Sequence, residues 1–373
     1  MIDLAATIRR RGPVPFSEVV EAALYDEDEG FYATIGTAGR EGDFITSPEL
    51  GPLFGAVIAR ALDRWWVELE EPDPFVVVEA AAGPGALAQS VLAAEPRCAP
   101  ALRYVLVERS AVQRARHAER LPIEHAAQAF APGRAIGDDD DGSTPAELPL
   151  GPIVVSLAAL PRLDGPCIVL ANELLDNLPF DLFERRAGDW VEVRVGVSDD
   201  DGALHEVLVP VAEPPVELVG VDGPDGARAP IQRAAAAWVR DALRLAHGGG
   251  RVVCFDYARP ATADLVARPW TEWMRTYRKH GVGNPPLRGL GTQDITVEVA
   301  VDQLPPPTAT VTQAEWLRAH GIDELVAGAR AVWEERAAIG DLEAMRALSR
   351  VNEAKALLDP EGPGGFLAME WTA

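Results

Sequence analysis

The run Phe75-Val-Val-Val-Glu79-Ala-Ala81-Ala-Gly83-Pro-Gly85-Ala-Leu87 joins an apolar strand ending in an acid to a small-residue turn and then a helix. A ligand can approach a backbone where side chains are absent, and a helix N-terminus offers free N–H groups. A second strand ends in Val105-Leu-Val-Glu108, one β-α-β unit later, where an acid can accept hydrogen bonds from both hydroxyls of a ribose. A third, Ile168-Val-Leu-Ala, delivers Asn172 and Glu173 to the carboxyl edge, with Asp176 three residues on. An amide beside carboxylates can hold an adenine, an ammonium or an incoming nucleophile. Each feature also has a local account. The turn can be merely tight, Glu108 a solvated strand end, and Asn172 a helix cap with Glu173 serving the dipole.

The turn discriminates between nucleotide-like ligands. It offers only Gly83 and Gly85, and Pro84 removes an N–H donor that a pyrophosphate would use. S-adenosylmethionine has no phosphate and tolerates that loss, and Glu79 suits its cationic amino-acid end. A nicotinamide-dependent oxidoreductase would present the same acid after the second strand, and is the competing reading of the turn.

These residues need a sheet to bring them together. From Phe75 onward strands alternate with helices: Phe75 to Glu79, a helix from about Ala86 to Ala94, Tyr104 to Val107, and a helix from about Ala111 to Arg120. Further strands are expected at Ile153 to Ser156, Cys167 to Ala171 and Arg251 to Tyr257. The pattern predicts an α/β, Rossmann-like, doubly wound parallel sheet. Upstream, Leu4 to Arg10 and Phe16 to Leu24 read as short helices, the second with Ser17 as a cap. Pro48 opens an amphipathic helix whose apolar residues, Leu53, Phe54, Val57, Ile58, Ala61, Leu62 and Trp65, recur at helical spacing. Gly137 to Pro149, with Asp138 to Asp141, reads as a mobile surface loop. Trp190 to Pro210 alternates like a hairpin, and Thr312 to Arg350 is mostly helical. Residues 1–70 are read as a helical segment with a substrate-side loop, and 71–373 as the Rossmann-like domain with insertions at about 187–245 and 258–350.

Of the 373 residues 48% are apolar and 25% charged, the composition of a folded chain. The net charge of −24 repels phosphate backbones and anionic headgroups, which excludes nucleic acid and membrane surfaces as expected partners and suits a basic one. Cys98, Cys167 and Cys254 lack metal-ligand spacing and read as buried thiols, so no metal site is expected. With no run of about 18 apolar residues and no signal-like start, a cytoplasmic location is expected.

Several further words occur in order: the Tyr25 to Tyr32 segment, Gly42-Asp43-Phe-Ile-Thr-Ser47-Pro48-Glu49, Asn172 to Pro179, Phe255-Asp256-Tyr257, Met274 to His280, Gly291 to Thr296, and Gly365-Phe366-Leu367. With these the chain resembles the MidA family, almost end to end. Mitochondrial members of that family are complex I assembly factors and protein-arginine methyltransferases. The resemblance implies a class I methyltransferase with added helical and strand segments on the substrate side, using S-adenosylmethionine to methylate arginine in a protein, such as a subunit of a larger complex. The cofactor would be held by Glu79, Ala81, Gly83, Gly85, Glu108 and Asn172. Glu173, Asp176, Asp43 and Glu49 would hold the guanidinium, with Asp256 also within reach. Monomer and homodimer both stay open. The chain departs from the family at Ala81, where the first glycine of a Glu-x-Gly-x-Gly-x-Gly run is usual, and at Glu298, where a histidine or similar residue is usual. A methyl at Ala81 costs about 1 kcal/mol if that position needs a left-handed backbone. The alternative reading is therefore a catalytically weak or inactive assembly factor on the same fold.

Overall fold

A computed structural model describes residues 4–34, 46–126, 150–163, 165–278 and 281–373. Asp43, the Gly137 to Pro149 segment and His280 lie outside the described residues.

The elements that frame the site are α1 (Leu4–Arg11), α2 (Phe16–Tyr25), α3 (Leu53–Glu68), β1 (Phe75–Ala80), α4 (Ala86–Ala93), β2 (Leu102–Val107), α5 (Ala111–Arg120), β3 (Ile153–Leu157) and β4 (Cys167–Asn172). They are followed by β5 (Asp181–Arg186), β6 (Asp189–Val197), β7 (Leu204–Pro210), β8 (Arg228–Ile231), α6 (Arg233–Leu245), β9 (Arg251–Asp256), β10 (Met274–Arg278) and β11 (Asp294–Val297). The chain ends with β12 (Ala309–Thr312), α7 (Gln313–Ala319), α8 (Ile322–Arg336), α9 (Leu342–Leu357) and β13 (Leu367–Thr372).

The large sheet has the order β12-β13-β9-β4-β1-β2-β3. Its five strands from β9 to β3 are parallel, while β13 runs antiparallel to both neighbours. Strands β1, β2 and β4 read as nearly continuous apolar runs because both faces are covered, with the buried Arg103 the interruption in β2. On one face α3, α4, α7 and α8 meet Phe75, Val77, Leu102 and Tyr104; on the other α6 meets Val78, Val105 and Val169. Leu53, Phe54, Val57, Ile58, Leu62 and Trp65 are fully buried on one stripe of α3. Each such side chain contributes about 1.5–3 kcal/mol through burial.

β1 lies between β2 and β4, so the crossovers diverge at its carboxyl end, the place where open α/β sheets bind ligands. Register sharpens this. Ala80 pairs with both Val107 and Ala171, so Ala81, Glu108 and Asn172 leave the sheet at one level.

Two local expectations are corrected. The helix expected from Pro48 is broken: Ser47–Leu50 is one turn, and α3 starts at Leu53 after Gly51 and Pro52. Glu353 of α9 fills the break and accepts the Leu53 N–H at 3.0 Å. Ser17 does not cap α2, whose N-cap is Pro15; its hydroxyl donates to Asp181 at 2.5 Å. The second sheet joins the short strand Val14–Pro15 to β5, β6, β7 and β8, and α6 packs on the large sheet. Helices α1 and α2 pack on the second sheet through Phe16, Val19, Phe180, Val193 and Val195. The edge pair β12 and β13 was not among the strands expected from the sequence. Cys98, Cys167 and Cys254 are buried free thiols.

Candidate active site

A cavity of about 1060 Å³ opens at the carboxyl ends of β1, β2 and β4. Its wall includes Glu79, Ala81, Gly83, Glu108, Asn172, Glu173 and Glu49 of the residues expected at a site. Gly85 and Asp176 do not line it.

The turn after β1 is built on left-handed residues. Ala81 has φ +52°, Gly83 φ +52° and Gly85 φ +85°. Gly85 is the N-cap of α4, so its part is to turn the backbone into the helix. Ala81 holds the conformation that glycine would adopt freely, and its methyl group costs about 1–2 kcal/mol there. A Cβ at Gly83 would meet nothing within 4 Å, which leaves that side of the backbone open.

Glu108 does more than cap a strand. Its Oε2 accepts the Gly83 N–H at 3.0 Å and its Oε1 the Ser110 N–H at 2.7 Å. One lone pair remains on each oxygen, and the two can accept a pair of vicinal hydroxyls. Burial raises its pKa, against the lowering effect of those amides. Glu79 is buried beneath the turn, with the Tyr104 hydroxyl donating to Oε2 at 2.7 Å, and burial pushes its pKa up to about 8.

Beyond β4, Glu173 has φ +52°, a conformation that non-glycine residues adopt at a cost and that recurs at functional sites. Its Oε1 accepts the Asn172 side-chain amide at 3.0 Å and the Ser47 N–H at 3.3 Å. The loop that carries Glu49 is thereby tied to Glu173. Burial, with the Asp256 charge adding to it, pushes Glu173 up to about 8. The Asn172 Oδ1 on the wall and Glu49 Oε1 are buried without a hydrogen-bond partner among the described residues. An orphaned acceptor on a cavity wall fits a ligand that brings an N–H or O–H donor. Asn172 caps no helix.

Asp176 lies behind this wall, 3% exposed, with Asp256 and Asp294 as its charged neighbours. Asp256 accepts the Leu175 N–H at 2.7 Å and the Tyr257 N–H at 2.9 Å, and burial raises its pKa to about 7. Asp294 is more than a local turn residue: besides the Ile295 N–H, its Oδ1 accepts the Tyr32 hydroxyl at 3.1 Å and the Asn177 amide at 3.0 Å. Glu298 stands elsewhere, pairing with Arg259 at 3.1 Å and Arg268 at 2.6 Å.

Sequence reasoning missed four contributors. Tyr25 and Tyr32 line the cavity and stack with ring centroids 5.7 Å apart. Tyr104 holds Glu79, and His117 supports the turn from behind. The tyrosines belong to a segment already noted for its resemblance, but a tyrosine in a strand and a histidine inside a basic helix carry no site signal.

A family model described as S-adenosyl-L-methionine-dependent methyltransferase matches residues 57–321. Protein arginine methyltransferase NDUFAF7 homolog, mitochondrial, of Drosophila melanogaster is 27% identical over 79% of this chain and 67% of its own length. The Mus musculus protein arginine methyltransferase NDUFAF7 is 26% identical over 78% of this chain and 65% of its own. The chain thus spans about two thirds of these relatives. A Burkholderia thailandensis protein solved with bound S-adenosyl-homocysteine superposes with a TM-score of 0.80 at 26% identity, covering 100% of this chain and 91% of that one. The expected cytoplasmic location is overturned by these matches, because the animal relatives are named as mitochondrial proteins.

Proposed function

This chain belongs to the S-adenosyl-L-methionine-dependent methyltransferase family, and we propose that it transfers the methyl group to an arginine side chain of a protein. S-adenosylmethionine supplies an electrophilic methyl group on its sulfonium. The observation that carries the acceptor reading is Glu173 on the cavity wall: a carboxyl in a left-handed backbone, with one oxygen tied by two donors and the other given no hydrogen bond by the described residues. Relatives named as protein arginine methyltransferases support it.

In this reading Glu108 and the Gly83 turn hold the ribose end of the methyl donor, and Glu79 and Asn172 its amino-acid end. Glu173 and Glu49 accept the forked N–H donors of the guanidinium and fix its plane. Alignment is the main task, because the nitrogen attacks without prior loss of a proton. The proton leaves the methylated nitrogen afterwards, and Glu173, with its raised pKa, is placed to take it. Asp176, Asp256 and Asp294 stand behind the wall, where burial and mutual repulsion hold Asp176 and Asp256 toward their neutral forms. Asp43, four positions before Ser47 in the sequence, is kept as a proposed guanidinium ligand. Of residues 1–70, α1, α2 and the Ser47–Leu50 turn serve as the acceptor-side cover, α3 joins 71–373 in one catalytic unit through its packing on the large sheet, and the acceptor belongs to a larger complex.

The test is to incubate the purified chain with S-adenosylmethionine carrying a labelled methyl group and arginyl peptides, and to map the label by mass spectrometry. Methylarginine formed by the chain and lost with Glu173→Gln supports the reading. Label appearing only on lysine, a carboxylate or a small molecule overturns it.

A further inference from the structure

The Gly83 peptide is held from both sides. Its N–H is taken by Glu108, while its carbonyl lies 2.8 Å from Nε2 of His117, a fully buried residue of α5. The other ring nitrogen, Nδ1, lies 2.8 Å from the Ser156 hydroxyl at the end of β3. A carbonyl oxygen can only accept, so Nε2 carries the hydrogen. In a neutral ring Nδ1 is then an acceptor, and Ser156 donates to it. Burial favours that neutral ring, and Arg114 on the same helix adds to the effect. The ring also underlies the next glycine: a Cβ at Gly85 would lie 3.5 Å from His117 Cδ2.

We infer that His117 is a positioning residue for the methyl donor: as the Nε2–H tautomer set by Ser156, it fixes the Gly83 carbonyl and so the backbone surface on which S-adenosylmethionine rests.

The need for such a residue follows from the turn itself. The Ala82 N–H donates to the Val107 carbonyl at 3.1 Å and the Gly85 N–H to the Ala82 carbonyl at 2.8 Å, but Pro84 has no N–H, and the Gly83 carbonyl between them is left to a side-chain donor. Glu108 fastens one end of Gly83, but Glu108 is also the group offered to the ligand. His117 makes no contact with the cavity and can hold the turn whether or not a ligand is bound. Ser156, His117 and Gly83 come from β3, α5 and the β1 turn, so two successive crossover units, β1-α4-β2 and β2-α5-β3, converge on one carbonyl.

This inference rests on the cofactor assignment, which the wild-type chain tests separately by binding S-adenosylhomocysteine in a calorimetric titration. His117→Leu keeps volume and removes the donor; His117→Gln restores an N–H. A lost hydrogen bond of ordinary strength predicts about tenfold weaker binding for His117→Leu, with recovery to within about threefold for His117→Gln. KM for S-adenosylmethionine rises by the same factor in His117→Leu, while kcat at saturation and KM for the acceptor stay put. Ser156→Ala leaves the ring in place and weakens binding by a smaller factor. Nitrogen-15 spectra of the wild-type imidazole should show a protonated Nε2 and a bare Nδ1. Equal losses in the leucine and glutamine variants, tracking a fall in Tm, would reduce His117 to packing. Wild-type affinity in His117→Leu, or a proton on Nδ1, would also overturn the inference.

Discussion

Glu108 Oε2 accepts the Gly83 N–H at 3.0 Å, so the acid that ends β2 fastens the turn that ends β1. The same carboxylate therefore shapes the site and faces the ligand. Glu108→Ala removes both functions, and binding of S-adenosylhomocysteine should weaken by about a hundredfold, the sum of two charge-assisted bonds. Glu108→Gln keeps an oxygen for Gly83 and should fall between that variant and wild type in the same calorimetric titration.

Ala81 already sits at φ +52°. Ala81→Gly should relieve about 1–2 kcal/mol of backbone strain, offset by about 0.4–1 kcal/mol of added unfolded-chain entropy. A modest rise in Tm follows, read by scanning calorimetry. Because the turn has its shape with alanine in place, cofactor affinity should move by less than about threefold. A gain of tenfold or more would favour a weakened assembly factor over an active enzyme.

Burial lifts Glu79 and Glu173 from 4.5 to about 8 and Asp256 from 3.8 to about 7. Each native carboxyl then keeps a proton that the unfolded chain releases. Below the unfolded values both states are protonated and no cost arises. As pH rises through the window between unfolded and folded values, native stability falls, and above about 8 the loss levels off. Denaturation followed at a series of pH values should show that decline, and Glu79→Gln should flatten it.

The same shift predicts the pH dependence of turnover. If ionised Glu173 takes the proton, kcat/KM for the acceptor should rise through an apparent pKa near 8, the value of the free enzyme. Glu173→Gln should lower kcat by about a hundredfold and abolish that rise, while binding of S-adenosylhomocysteine changes little.

A net charge of −24 should steer a basic acceptor. Raising salt from low to about 0.5 M shortens the Debye length to a few ångströms, and KM for an arginine-rich peptide should increase by about threefold or more. KM for S-adenosylmethionine should move less. A neutral small-molecule acceptor would show no such dependence.

Local patterning in the sequence determined a good deal. Nearly continuous apolar runs at β1, β2 and β4 are what a strand covered on both faces requires, and the acid or amide ending each run marks the ligand edge. Pro84 spoke against a pyrophosphate because a missing N–H is a property of the residue alone. Glu79, Gly83, Glu108, Asn172 and Glu173 were therefore legible, as was the helical stripe of α3. Tertiary structure alone decided the rest. Asp176 is one turn past Glu173 yet lies behind the wall, because the chain folds under the sheet edge at Leu175. Gly51 and Pro52 break a helix whose apolar spacing ran on, because Glu353, 300 residues away, takes the orphaned N–H. Tyr25, Tyr32 and His117 reach the site through contacts between residues 34 to 262 positions apart, and such pairings leave no periodic trace along the chain.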